Sequence, residues 1–106
     1  MNYEEMSDFE INLAVAKMKY NHPSDPEYFK FYRLNNGNVV QVNAYKMWPQ
    51  DLDFCNNPSD AWSLLVSLVN CGCTVVVEKD KINGDFLNGK SITRKIAELY
   101  LSERAD

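Results

Sequence analysis

One histidine, three cysteines and no apolar run longer than a few residues leave this 106-residue chain little of the usual chemical equipment. A membrane-spanning helix needs ~20 apolar residues in succession, so no membrane segment is expected. The sequence has no glycine-rich phosphate loop, no G-x-S-x-G elbow and no zinc-hydrolase motif, and its lone His22 stands in a loop before Pro23. The acids Asp51 and Asp53 are only two apart, a spacing common on surface loops. These gaps point away from an enzyme and from a bound cofactor. Bases are missing from residues 1 to 10, which hold four acids, and the formal charge of the chain is −4. That balance disfavours attraction to a phosphate backbone or an anionic membrane. The acidic opening MNYEEMSDFE is the opposite of a secretory leader, and three cysteines cannot all pair within one chain. We expect a cytosolic protein with reduced, buried thiols and no disulfide.

What is present fits one folding unit, residues 1 to 106, because 45% hydrophobic and 25% charged residues lie near the globular average. No repeat, low-complexity tract or linker divides it. Ser7 and Glu10 form a capping box, with Met6 and Ile11 placed as a hydrophobic staple, so a helix is predicted from about Asp8 to Lys19. Its Ile11, Ala14, Val15 and Met18 fall on one stripe. From Tyr28 the pattern turns extended: YFKFYRL and VVQVN flank NNGN, and Asn36-Gly37 is read as a two-residue hairpin turn.

The stretch DFCNNPSDAW reads as a second helix start, with Asn57 as N-cap, Pro58 at the first helical position and Asp60 near the positive end of the dipole. The helix it opens should be the most buried, closed by Gly72. CTVVVEK follows as a central strand with β-branched residues on both faces, and NGDF turns into a short last strand. Ser91 caps a third helix with Ile92, Ile96, Leu99 and Tyr100 on one stripe. The predicted class is α+β: a small α/β/α sandwich in the order α-β-β-α-β-(β)-α, with three helices and a mostly antiparallel sheet of three to four strands. Trp62, Leu65, Val69, Val75, Val77, Ile96 and Leu99 are expected in the core.

Three constellations could carry function. The loop Asp53 to Asp60 could hold an anion at a helix N-terminus, but each residue already has a use as cap or turn former. Cys55, Cys71, Cys73 and His22 match four zinc ligands in number but not in spacing, and no metal is expected. The strand YFKFYR interleaves aromatics with bases, as single-strand nucleic-acid binders do. Tyr28, Lys30, Tyr32, Arg33, Tyr45, Lys46 and Trp48 are therefore the candidate interaction surface. Tyr20, Phe29 and Met47 lie near it in sequence, and such aromatic and methionine clusters suit interface cores, a twofold homodimer included.

MSDFEINLAVA near the start and DFCNNPSDAWSLL in the middle resemble the NinX-like family of small lambdoid-phage proteins. PSDAW, the strand after its helix and the terminal helix are more loosely similar to phage proteins described as α/β/α sandwiches. The resemblance implies a phage or prophage protein acting in the bacterial cytoplasm, and it implies no catalytic residues. With no recognisable chemistry, the expected function is an accessory role exerted by binding a host or phage protein. Single-stranded nucleic-acid binding through residues 28 to 33 is the alternative.

Overall fold

The capping box written into residues 7 to 10 is made in full. In the computed structural model, which describes residues 2–104, Ser7 Oγ accepts from the Glu10 amide at 3.1 Å and the Glu10 carboxylate accepts from the Ser7 amide at 3.0 Å. A 3-10 turn, Tyr3–Glu5, precedes the cap, and helix α1, Asp8–Lys19, follows it. Strands β1 (Lys30–Arg33), β2 (Val40–Asn43) and β3 (Gln50–Leu52) lead to α2 (Pro58–Asn70), then to β4 (Lys81–Ile82), β5 (Asp85–Phe86) and α3 (Ile92–Arg104). Three helices with small antiparallel sheets make an α+β fold.

The β1–β2 hairpin turns one residue earlier than expected. Asn35 and Asn36 take the positive φ angles, 52° and 54°, and the Gly37 amide donates to the Leu34 carbonyl at 2.9 Å. That is type I′ geometry carried by two asparagines, which reach the left-handed region at less cost than most side chains. An Asn-Gly pair does make the turn between β4 and β5, where Asn83 and Gly84 have φ of 50° and 84°.

The predicted central strand at residues 73 to 79 is the main correction. β2 lies in the middle of a sheet ordered β1-β2-β3, so both its edges are taken before the chain reaches Cys73. CTVVVEK instead runs beside the small hairpin, where Val77 bridges Ile82 and the Asn83 side chain ties Thr74 and Val76. Val76 and Val77 are exposed and Val75 is half-buried. β3 has little strand propensity of its own. Its Asp51 stands opposite Gln41 and accepts from that side chain at 3.0 Å.

The core gathers Ile11 and Val15 of α1, Val40 and Val42 of β2, Phe54, Leu64 and Leu68 of α2, and Ile96, Tyr100 and Leu101 of α3. Helix α2 meets α3 through the face containing Ala61, Leu64 and Leu68, which turns Trp62 and Val69 outward at 64% and 56% exposure. Leu65 and Leu99 are half-buried, and Ile96 is buried as expected. An apolar helix with one narrow serine face does not say which of its apolar sides meets the core. The most buried helix is α3, whose Arg94, Lys95 and Glu98 are also covered.

Candidate functional site

The loop between β3 and α2 joins the molecule together. Asn12, fully buried in α1, donates from Nδ2 to the Asn38 carbonyl and to Asp53 Oδ1, both at 2.8 Å, and accepts the Cys55 amide at 3.1 Å. The Cys55 carbonyl accepts from the hydroxyls of Ser91 and Thr93. Asn57 Oδ1 caps α2 by accepting the Ser59 amide at 2.9 Å, with Pro58 in the first turn, while Asp60 reaches back to accept the Asp53 amide at 2.9 Å. The hollow outside this loop presents Asp51, Asp53 and Asp60 and no cation, so it repels anions despite the helix N-terminus beside it. Burial pushes the Cys55 thiol up to about 12, aided by the nearby Asp8 charge, and leaves it unreactive at neutral pH.

A second polar centre lies under the N-terminal segment. Arg94 donates from Nε to Glu98 at 2.7 Å, from one terminal nitrogen to Asp8 at 2.6 Å, and from the other to the carbonyls of Tyr3 and Met6 at 2.9 and 2.6 Å. Lys90 also donates to Glu98, at 3.0 Å, and to the Glu4 carbonyl, at 2.7 Å. Hydrogen bonds to the Asp8 and Glu98 carboxylates hold the Arg94 pKa above its ordinary value against the opposing effect of burial. These bonds commit Arg94 to fastening the 3-10 turn and α1 onto α3.

A groove of about 530 Å³ runs between α1 and β1 and is lined by Phe9, Leu13, Tyr20, Phe29 and Phe31, among others. It receives Lys30, Tyr32 and Arg33 of the candidate surface, together with Lys17. Asp25 and Glu27 share the lining, so three cations face two carboxylates. Two of the cations are also occupied: Lys30 pairs with Glu27 at 2.6 Å, and Arg33 lies 4.2 Å from the Phe9 ring centroid while donating to the Gly37 carbonyl. Tyr28 packs on the His22 ring at 4.7 Å. His22 Nδ1 accepts the amides of Ser24 and Asp25 at 3.1 and 3.0 Å, which places its proton on Nε2. Lys46 and Trp48 line a separate shallow depression with Met47, and Tyr45 stands exposed beside them. The seven candidate residues thus divide between the groove, its flank and the β2–β3 loop.

The feature that the sequence reading missed is the outer face of α2. Trp62, Leu65, Val66 and Val69, spaced three, four and seven apart, border an apolar hollow of about 220 Å³. The only charged residue in α2 is Asp60, in its first turn. The signal was an apolar pattern too wide for one core-facing stripe.

The cysteines separate. Cys55 is buried, Cys71 exposed and Cys73 half-buried, which corrects the expectation of three buried thiols. Among the described residues no three His, Cys, Asp or Glu side chains converge as metal ligands would, and no helix is long and apolar enough to cross a membrane.

A family model described as Bacteriophage P22, NinX matches residues 2–84 of the chain. No curated protein and no solved structure gives a match. The matched span holds both segments on which the resemblance was read and ends before α3.

Proposed function

This chain belongs to the bacteriophage P22 NinX family, and from that premise we propose that it is a non-catalytic phage accessory protein that acts in the host bacterial cytoplasm by binding another phage or host protein. The observation that carries this reading is the outer face of α2, where Trp62, Val66 and Val69 are exposed together on a regular helix. Solvent-exposed apolar side chains at helical spacing are a common form of recognition surface, and an exposed tryptophan among them is a typical anchor. The exposed Tyr45 and Trp48 on the β2–β3 loop offer a smaller second contact.

The alternative, single-stranded nucleic-acid binding, draws support from the exposed Tyr32 and Lys30 on β1. The near-balanced charge of the groove and the prior engagement of Lys30 and Arg33 count against it, because backbone binding depends on free cations. Affinity purification from phage-infected cells separates the two. A protein retained after nuclease treatment, and lost with Val66→Glu, supports the α2 reading. Recovery of nucleic acid alone, released at moderate salt and unaffected by Val66→Glu, overturns it.

A further inference from the structure

Cys71 and Cys73 lie either side of Gly72 at the end of α2. The Cys73 amide donates to the Leu68 carbonyl at 3.0 Å and the Gly72 amide to the Val69 carbonyl at 3.0 Å, with Gly72 at φ 89°. This is a Schellman turn, which reverses the chain at the glycine. Consecutive Cα atoms are ~3.8 Å apart, so two cysteines across one turned residue have Cα atoms within the ~4.4–6.8 Å that a disulfide spans.

Both thiols meet the last turn of α3, and they meet opposite charges there. The Arg104 guanidinium lies against Cys71 Sγ, while Cys73 Sγ stands 4.0 Å from the Glu103 carboxylate. An exposed thiol beside a cation is a setting suited to attack on a disulfide.

We propose that Cys71 and Cys73 are a thiol–disulfide exchange site for small anionic disulfides, with Cys71 as attacking group and Cys73 as resolving group. The Cys71 thiolate attacks one sulfur of the substrate R–S–S–R, forming a mixed disulfide and releasing one RS⁻. Cys73 gives its proton to solvent, and its thiolate then attacks the Cys71 sulfur, closing the Cys71–Cys73 disulfide and expelling the second RS⁻. The two cysteines are oxidised, the substrate is reduced to two thiols, and no other oxidant takes part. Arg104 favours an anionic substrate at the first step.

The test uses the reduced full-length chain with 5,5′-dithiobis(2-nitrobenzoate), an anionic aromatic disulfide. Release of two thiolates per chain, with a product two mass units lighter than the reduced protein and free of adduct, is the expected result. Two stable adducts, or no reaction at Cys71, would overturn the proposal. Cys73→Ser should stop at one thiolate and one retained adduct on Cys71. Arg104→Gln should slow the first release without changing the two-thiolate end point; an unchanged rate would remove Arg104 from the assignment. Cys55→Ser, which alters only the buried thiol, should leave the stoichiometry intact.

Discussion

At the scale of single residues, the most consequential group is one that the pattern of the sequence hides. Asn12 sits on the buried side of α1 beside Ile11, Val15 and Ala16, and it serves three partners from the hairpin loop and the Asp53–Cys55 segment. Asparagine in a helix usually faces water, so periodicity alone gave no reason to place it inside. Its partners are 26 to 43 residues away in the chain, beyond the reach of local reasoning. Asn12→Ala leaves the Cys55 amide and the Asn38 carbonyl without their side-chain partner, and a loss of about 2–4 kcal/mol is expected in urea unfolding. Asn57→Ala, which removes a solvent-exposed cap, should cost about 0.5–2 kcal/mol. Cys55 gives a pH signature. Its folded pKa of about 12 lies above the ordinary 9.0, so its contribution is complete below about 9.0 and is lost as pH rises toward 12, where the unfolded thiol ionises before the folded one. The penalty of Cys55→Ala, measured by denaturation, should therefore shrink between about pH 8 and about pH 10.

At the scale of elements, caps were legible and faces were not. Ser7, Glu10, Asn57 and Ser91 act where the sequence placed them, because capping is settled within four residues. The hairpin was found with its turn displaced by one residue, since NNGN contains two overlapping pairs able to take positive φ. Gly37 is outside the left-handed region, and a Cβ there meets the Leu34 carbonyl oxygen at an ordinary 3.4 Å. Gly37→Ala should accordingly be neutral or stabilise by up to about 1 kcal/mol, whereas Asn36→Ala should destabilise by about 1 kcal/mol, both read by thermal melting. The face of α2 was misjudged because seven of its thirteen residues are large and apolar or aromatic, or alanine, and only the packing partner chooses among them. Leu64→Ala should cost ~2–5 kcal/mol, and Trp62→Ala, at an exposed position, less than ~1. CTVVVEK failed as a central strand for a related reason. Strand propensity does not reveal that the short β3 already occupies the available edge of β2.

At the scale of the whole molecule, α3 closes the fold from both sides: it packs on α2 and α1, and its Arg94 holds the N-terminal turn from 86 to 91 residues away in sequence. With the core sealed in this way, the outer face of α2 remains unpaired, and its lack of charge beyond Asp60 means that nothing repels a second copy of the same helix. Twofold contacts are the commonest form of self-association, and across such an axis Trp62 of one chain can cover Val66 and Val69 of the other. When no partner protein is present, the chain should therefore show a weak, concentration-dependent dimer through α2. Light scattering at micromolar concentration reads this as a mass rising above the 12.2 kDa of the single chain. Val66→Glu sets like charges against each other on the axis and should return the mass to the monomer value, with helix content unchanged because position 66 is exposed. Trp48→Glu, on the β2–β3 loop, should not. If only Trp48→Glu dissolves the dimer, self-association belongs to the Tyr45–Trp48 patch instead. A strict monomer at every concentration would leave the α2 face to a foreign protein alone.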